Sequence, residues 1–231
     1  MSALAFLTPD VQASDVLARS PMEHLARQAG GRFEPRDGWN IAAGFDSAAA
    51  EAKRMTKTVG FTDRSELTKF ELCGTTEAIA GLGLTLGTAE HREGTWWCPI
   101  TPERVLVFGE PGAAAGIRAA VDAVGGRVVD LTTGLCAMTL VGPDCRELLA
   151  RFCAIDVRPA VAPVRSFRPG SVARTPGYLL VQDEQQLLIM VGWALGQYLW
   201  ELVADAAEHL GGGPVGADAR VPTSPAGGSN A

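Results

Sequence analysis

The sequence predicts an α+β protein that contains one split β-α-β module twice. The first observation is an internal repeat, because residues 59–74 and residues 128–142 each run from an Asp and a hydroxyl residue into an alternating strand that ends at a Gly. A short helical segment follows each of these glycines. In both halves two further strands, a helix and a last strand come next, and this order of elements is that of a ferredoxin-like module.

The first half supplies these elements in sequence. Residues 75–82 are predicted as its first helix, and residues 96–100 and 104–108 as a strand pair around a Thr-Pro-Glu turn. The Ala-rich residues 113–124 are predicted as the second helix, which a pair of glycines ends. Residues 127–131 then form the closing strand.

The second half repeats the order. Residues 143–152 are predicted as a helix, because proline suits the first helical position. Residues 171–181 and 186–191 are predicted as a hairpin, and residues 194–210 as an amphipathic helix. A chance similarity between two short strand–helix segments is the alternative. The shared order of the later elements argues against it.

These elements predict four segments along the chain. Residues 1–19 are expected to be a mobile leader, and residues 221–231, which are rich in Pro, Gly and Ser, a disordered tail. Between them, residues 20–132 form the first predicted module and residues 133–220 the second. Neither end is expected to carry chemistry.

Composition limits the classes of function. The chain has 231 residues, of which 47% are hydrophobic and 20% charged, with a net charge of −6. These values predict a folded enzyme or subunit. An acidic chain without a run of Lys and Arg does not fit a nucleic-acid-binding protein, and a membrane surface is disfavoured for the same reason. No stretch reaches the roughly 18 apolar residues of a membrane span.

The cysteines and histidines predict no metal site. The five cysteines are odd in number and none forms a Cys-x-x-Cys pair, so we expect reduced core residues in a cytoplasmic protein. The three histidines are far apart and lack metal-type spacing. No Gly-x-Gly-x-x-Gly motif follows a strand, so we expect no flavin or nucleotide to be bound by this chain alone.

Short motifs carry a family resemblance. Those that resemble the opening of glycine-cleavage aminomethyltransferases are Ser20-Pro-Met, Gly30-Gly-Arg-Phe33, Gly38-Trp39, Glu51 and residues 59–65. Residues 212–220 resemble a later stretch of the same enzymes. Those that are similar to the gamma subunit of heterotetrameric sarcosine oxidase are residues 129–132, 140–143, 147–149, 155–156, 169–170, 173–175 and 198–200.

The resemblance implies a fold of two intertwined ferredoxin-like modules around a cavity, in which tetrahydrofolate binds and an aminomethyl or methylene group is transferred. The sequence departs from that family in two ways. Residues 96–99, Trp-Trp-Cys-Pro, stand where the resemblance places a catalytic acid. We also expect the chain to lack the C-terminal barrel of a complete aminomethyltransferase. Both departures are similar to the gamma-subunit case, in which flavoprotein subunits supply the redox chemistry.

The candidate ligand-binding residues are Trp96, Trp97, Asp63, Arg64, Tyr178 and Arg220. Trp96 and Trp97 alternate along one strand, so one side chain faces each side of the sheet. One of them could stack on a pterin ring, or both could pack in the core or at a subunit interface.

The other candidates also have two possible roles. Asp63 and its repeat counterpart Asp130 could each brace a turn, or Asp63 and Arg64 could face a cavity. The resemblance places Tyr178 and Arg220 near the folate site, where Arg220 could bind a carboxylate with both guanidinium nitrogens. Simple solvation is the alternative for Arg220. No catalytic residue is assigned.

Three functions remain open. The first is an accessory subunit of a flavin-dependent amine oxidase or demethylase in one-carbon metabolism, which assembles with flavoprotein subunits or as a homo-oligomer. The second is a folate-binding, aminomethyltransferase-like enzyme that acts on a small amine. The third is a scaffold recruited for an unrelated small-molecule reaction, since a fold does not determine a function. The sequence does not decide whether the chain is an enzyme.

Overall fold

The computed structural model of the chain describes residues 16–219. The strands are β1 (Arg32–Arg36), β2 (Trp39–Gly44), β3 (Gly60–Asp63), β4 (Thr68–Cys73), β5 (Glu90–Arg92), β6 (Thr95–Thr101), β7 (Arg104–Gly109), β8 (Arg127–Asp130), β9 (Leu135–Val141), β10 (Phe167–Val172), β11 (Thr175–Asp183), β12 (Gln186–Gly192) and β13 (Gly213–Pro214). The helices are α1 (Glu23–Gln28), α2 (Ala48–Lys57), α3 (Thr76–Ala80), α4 (Ala114–Asp122), α5 (Cys145–Ala150) and α6 (Gly196–Glu208). This mixture of several sheets and helices confirms the predicted α+β class.

Two main sheets organise the fold. One has the strand order β10-β11-β12-β9-β3-β13 and the other the order β5-β6-β7-β4-β8. Strand β3 directly precedes β4 in the sequence, yet it pairs with β9 in the six-stranded sheet. Strand β8 directly precedes β9, yet it pairs with β4 in the five-stranded sheet. The chain therefore crosses from one sheet to the other at the same point of each repeat.

The two sheets pack face to face, and helices cover their outer faces. The apolar layer between the sheets includes Leu67, Trp96, Phe108, Phe167, Leu188 and Met190. Helices α1, α5 and α6 cover the six-stranded sheet, and α3 and α4 cover the five-stranded one. Each fully buried Leu or Phe of this kind stabilises the folded state by about 1.5–3 kcal/mol. No helix within residues 16–219 has the length and apolarity that crossing a membrane requires.

Several sequence-based elements are confirmed and one is wrong. The strand pair β6 and β7 and the helices α4 and α6 occur where the sequence predicts them. Residues 171–181, however, are not one strand. Ala173 and Arg174 have φ values of 52° and 59°, and this two-residue turn separates β10 from β11. A turn with positive φ at both central residues matches the twist of the strands that it connects.

An N-terminal hairpin and helix α2 add to the predicted elements. Asp37 and Gly38, with φ values of 48° and 80°, form the turn between β1 and β2. Glu51 of α2 is buried, and its Oε1 accepts the N–H groups of Phe45 and Asp46 at 2.7 and 2.9 Å. Its Oε2 accepts the N–H of Gly216 at 2.8 Å. One carboxylate thus ties this hairpin to the C-terminal segment.

Candidate functional site

Both copies of the repeat contain the same turn where the chain leaves one sheet for the other. Asp63 Oδ1 accepts the backbone N–H of Ser65 at 2.9 Å, and Asp130 Oδ1 accepts that of Thr132 at 2.8 Å. An Asp that accepts the N–H two residues later stabilises a local turn. The turn-bracing role that the repeat predicts for both aspartates is therefore confirmed.

The two aspartates differ in their surroundings. Asp130 is exposed, whereas Asp63 is partly buried. Loss of hydration raises the pKa of Asp63 to about 6, although hydrogen bonds from Ser20 and Ser65 oppose this shift. Because the Asp130 turn forms in solvent, burial of Asp63 is not a requirement of the turn.

Asp63 and Arg64 lie together in what we call the polar cleft, a cavity of about 240 Å³. Its charged lining residues are Arg36, Asp37, Asp63, Arg64, Glu66 and Glu110. Arg64 Nε lies 2.6 Å from Glu66 Oε1, and its Nη2 lies 2.8 Å from Glu110 Oε1. Burial alone would lower the pKa of Arg64, but these two carboxylates outweigh it and raise the pKa.

A buried lysine lies directly behind this turn. Lys69 is fully buried, and its Nζ donates to the carbonyl oxygens of Ser65 at 2.9 Å and Leu67 at 2.7 Å. Loss of hydration lowers the pKa of Lys69 to about 8, against the opposing charges of Glu66 and Asp63. The burial of Lys69 is not evident from the sequence, because an alternating strand usually exposes its charged residues.

Cys136 is the repeat counterpart of Lys69, since each lies six residues after the turn aspartate. Its Sγ lies 3.6 Å from the carbonyl oxygen of Val191, and loss of hydration raises its pKa to about 12. A thiol with such a pKa stays protonated and unreactive near neutral pH. The two equivalent positions therefore carry different chemistry, and the charged one lies beside the polar cleft.

The two tryptophans lie on opposite faces of β6, as alternation predicts. Trp96 is fully buried between the sheets, with its ring centroid 4.6 Å from that of His91. Trp97 is 8% exposed and packs beneath α4 against Ile117, at the edge of a groove along that helix. Neither side chain lines the polar cleft. Both therefore contribute to packing layers.

Tyr178 lines a second cavity, which we call the apolar groove, at an open edge of the layer between the sheets. The groove has a volume of about 690 Å³, and its lining includes Ile100, Leu135, Pro169, Arg174, Tyr178 and Gly192. The Tyr178 ring stacks on Phe167, with centroids 5.6 Å apart and an interplanar angle of 15°. None of the described residues that line the groove is an Asp, Glu or His.

The strained turn between β10 and β11 lies at the rim of the apolar groove. Positive φ at Ala173 and Arg174 is unfavourable for residues other than glycine, and it costs about 1–3 kcal/mol at such a site. The hydroxyl of Tyr198 donates to the carbonyl oxygen of Ala173 at 3.1 Å and helps to hold this turn. The turn brings Arg174 to the groove as its charged lining residue.

The structure thus brings only some of the six candidates together. Asp63 and Arg64 share the polar cleft, Tyr178 lies in the apolar groove, and the tryptophans lie in packing layers. Arg220 lies outside the described residues, which end at Ala219. Within the described part of the chain, no group of three or more His, Cys, Asp or Glu side chains is placed to hold a metal ion.

Comparison with solved structures confirms the family-level resemblance of the fold. The chain is similar to the glycine cleavage system aminomethyltransferase T of Bartonella henselae, with a TM-score of 0.71, 16% identity and coverage of 88% of this chain. It spans 60% of the length of that enzyme.

The chain is also similar to a chain of the heterotetrameric sarcosine oxidase of Corynebacterium sp. U-96, solved in complex with pyrrole 2-carboxylate. The TM-score is 0.63 and the identity 20%, with coverage of 90% of this chain and 99% of that chain. No protein-family model and no curated protein matches the sequence. The likeness is therefore one of fold.

Proposed function

We propose that the chain is a non-catalytic subunit of a flavin-dependent amine oxidase or demethylase that acts in one-carbon metabolism. The observation that carries this proposal is the apolar groove, which combines a ligand-sized volume with the absence of any carboxylate or imidazole among its described lining residues. The likeness to nearly the whole length of one chain of a heterotetrameric sarcosine oxidase supports the same assignment.

The groove is better suited to binding than to acid–base catalysis. A general base must lie within hydrogen-bond reach of the reacting group and have a pKa near the working pH. Loss of hydration raises the pKa of Tyr178, and the charge of Glu71 adds to this effect against that of Arg104. The phenol therefore stays protonated near neutral pH. Arg174 is permanently charged and cannot accept a proton.

Redox chemistry in this proposal belongs to partner subunits in the cytoplasm. The Gly-x-Gly-x-x-Gly match in the sequence, residues 211–216, follows helix α6 and not a strand, so the usual signal of a flavin or nucleotide site is absent. Flavoprotein subunits would supply that cofactor, and this chain would complete the assembly. A homo-oligomer is the alternative form of assembly.

The same proposal includes two ferredoxin-like modules, residues 20–132 and 133–220, that are intertwined. The strand order β8-β4-β7-β6 places the last, first, third and second strands of the first module side by side, as in a ferredoxin-like sheet. In the second module β3 occupies the place beside β9, and β13 pairs with β3 in parallel. Strand β3 belongs to the first module in sequence but pairs within the sheet of the second, which supports the intertwined arrangement.

Assembly with a flavoprotein tests the proposed function. We expect the tagged chain, purified from its source cells, to remain in a complex of constant stoichiometry that absorbs as a flavin and oxidises a methylated amine. Native mass spectrometry gives the stoichiometry, and oxygen uptake gives the activity. A chain that stays monomeric and gives no complex when mixed with the purified flavoprotein would contradict the proposal.

Binding of tetrahydrofolate in the apolar groove is a second candidate function, and the stacked Tyr178 favours it. A flat, polar-edged ring can lie against a tyrosine, and Arg174 at the rim can pair with a carboxylate. The residues present therefore fit the ligand, which carries a one-carbon group when bound. This chain would hold and orient it.

Substitution of Tyr178 tests this second function. Stacking of a flat ring on an aromatic side chain contributes about 1–3 kcal/mol, so we expect Tyr178→Ala to weaken tetrahydrofolate binding by about tenfold. Tyr178→Phe retains the ring and is the matched control. Calorimetry measures both dissociation constants, and thermal unfolding checks that both variants fold. Absence of heat with the wild-type chain at millimolar ligand would remove this candidate.

A further inference from the structure

We propose that the polar cleft is a binding site for a small primary or secondary ammonium ion, and that the carboxylate of Asp63 is its counter-ion. This site is separate from the apolar groove. The proposal goes beyond the subunit role, and it can fail or hold independently of that role. Four observations lead to it: the charge balance of the cleft, the unpaired state of Asp63, the comparison with Asp130, and the size and lining of the cavity.

The cleft has an excess of negative charge. Among the described residues, two guanidinium groups and four carboxylates line it, which corresponds to a net charge of −2 when all are ionised. The turn between β1 and β2 contributes Arg36 and Asp37, and Glu110 follows β7. The remaining three charged residues follow or end β3. A cavity lined mainly by one sign of charge concentrates ions of the opposite sign.

The arginines of the cleft already have acidic partners. Arg64 pairs with Glu66 and Glu110, and Arg36 pairs with Glu34 at 3.0 Å and Asp218 at 2.6 Å. Each guanidinium is therefore neutralised by two carboxylates. Neither needs the charge of a further carboxylate in the cleft.

Asp63, in contrast, takes part in none of the ion pairs formed within residues 16–219, and its hydrogen bonds come from Ser20 and Ser65. Lys69 directs its ammonium group to the carbonyl oxygens of Ser65 and Leu67 instead. The cleft thus presents a carboxylate that hydrogen bonds hold in place and that forms no ion pair with a described residue, while the buried ammonium of Lys69 acts on it without pairing with it.

The repeat provides an internal comparison. Asp130 braces the same turn in the second copy of the repeat while it is exposed to solvent. The turn therefore needs the aspartate but not its burial, which is unfavourable for a charged carboxylate. Perturbed carboxylates in clefts are typical of functional sites. Burial raises the pKa of Asp63 to about 6, so the group is still ionised at pH 7.5.

The dimensions and lining of the cleft define the class of cation. A volume of about 240 Å³ holds about eight water molecules at roughly 30 Å³ each, so the ligand is small. Ile41, Pro111 and Ala217 offer apolar contacts for a short alkyl group, and the Thr62 hydroxyl offers a second acceptor.

The lining also argues against other cations. None of the described residues that line the cleft has an aromatic ring, although quaternary ammonium ions are usually held by aromatic faces. No metal-ligating group of three side chains occurs among the residues that the structure describes. A primary or secondary ammonium ion has N–H donors for Asp63 and Thr62, so it fits this set of groups.

Calorimetry on the full chain with propylammonium chloride at pH 7.5 tests the proposal. We expect saturable binding with a millimolar dissociation constant for the wild-type chain, and at least tenfold weaker binding for Asp63→Asn. The asparagine oxygen can still accept the Ser65 N–H, so the turn is retained. Asp130→Asn makes the same change in the equivalent turn, and we expect its affinity to equal that of the wild type.

Two further probes define the ion. We expect tetramethylammonium chloride and potassium chloride to give at least tenfold weaker binding than propylammonium chloride. The proposal is overturned if propylammonium does not bind, if Asp63→Asn binds it as well as the wild type, or if either control salt binds equally well. Because this test uses the chain alone, none of these outcomes depends on assembly with a flavoprotein.

Discussion

Replacement of Lys69 by Ala is expected to lower the free energy of unfolding by about 3–5 kcal/mol. The substitution removes the ammonium group that satisfies the carbonyl oxygens of Ser65 and Leu67. A buried acceptor that loses its partner costs about 1–3 kcal/mol, and the deleted methylene groups leave a cavity that costs more. Urea unfolding at pH 7.5 measures the loss.

A surface lysine provides the control for this prediction. Lys53 is exposed on α2, and we expect Lys53→Ala to change stability by no more than about 0.5 kcal/mol. Equal effects of the two substitutions would contradict the structural role of Lys69. Lys69→Met is a useful third variant, because it preserves most of the volume while it removes the hydrogen bonds and the charge.

The pH dependence of stability also reports on Lys69. In the folded chain the pKa of Lys69 is about 8, below its ordinary value of 10.5. The unfolded chain therefore binds more protons between these two values, and stability rises with pH in that window. We expect the wild type to gain up to about 3 kcal/mol over Lys69→Met between pH 7 and pH 10. A constant difference across this range would show that the lysine is hydrated.

Asp63→Asn is expected to stabilise the folded chain at pH 8 by about 1–3 kcal/mol. The pKa of Asp63 is about 6 in the folded chain, above its ordinary value of 3.8. Asp63 therefore binds a proton more tightly in the folded chain than in the unfolded chain. The stability that this protonation contributes is present at low pH and is lost as pH rises through 6. Asparagine stays uncharged at every pH, so it avoids this loss.

Thermal and urea unfolding at pH 4 and pH 8 measure this effect. The difference between Asp63→Asn and the wild type should be larger at pH 8 than at pH 4. Asp130→Asn, in the exposed turn, should show no comparable change with pH. Stabilisation by Asp63→Asn together with loss of ammonium binding would show that this aspartate is retained at the expense of stability. An Asp63→Asn variant less stable than the wild type at pH 8 would contradict the pKa shift.

The sequence predicts the repeated elements because their signals are local. The Thr-Pro-Glu turn between β6 and β7, the Ala-rich helix α4 and the apolar face of α6 each depend on residues close together in the chain. The turn-bracing role of Asp63 and Asp130 could be inferred from their equivalent positions in the repeat. Short-range sequence patterns alone predict all of these features.

Other local features were missed although their signals were present. Asp37 and Gly38 form a dipeptide that is typical of hairpin turns, and they connect β1 to β2. Ser47 caps α2 by accepting the N–H of Ala50 at 3.2 Å. In contrast, Ala173 and Arg174 carry no glycine signal, so their turn could not be expected from composition.

The charged groups of the polar cleft depend on tertiary structure. Lys69 is buried because the crossing strands of both copies of the repeat surround it, and its backbone N–H donates to Oγ1 of Thr132, in the second copy of the turn, at 3.2 Å. Arg64 meets Glu110, which is 46 residues away in the sequence. The cleft forms where the N-terminal hairpin, β3 and the residues after β7 meet. No short sequence motif predicts contacts between segments that are so far apart in the chain.

Restoration of amine oxidation in cell extracts tests the subunit role most directly. The measurement is oxygen uptake driven by a methylated amine in extracts of source cells that lack this chain, with and without the purified chain added back. We expect extracts that lack the chain to show little of the flavin-dependent oxygen uptake of normal extracts, and we expect the added chain to restore it. Full uptake in extracts that lack the chain would contradict the role of accessory subunit.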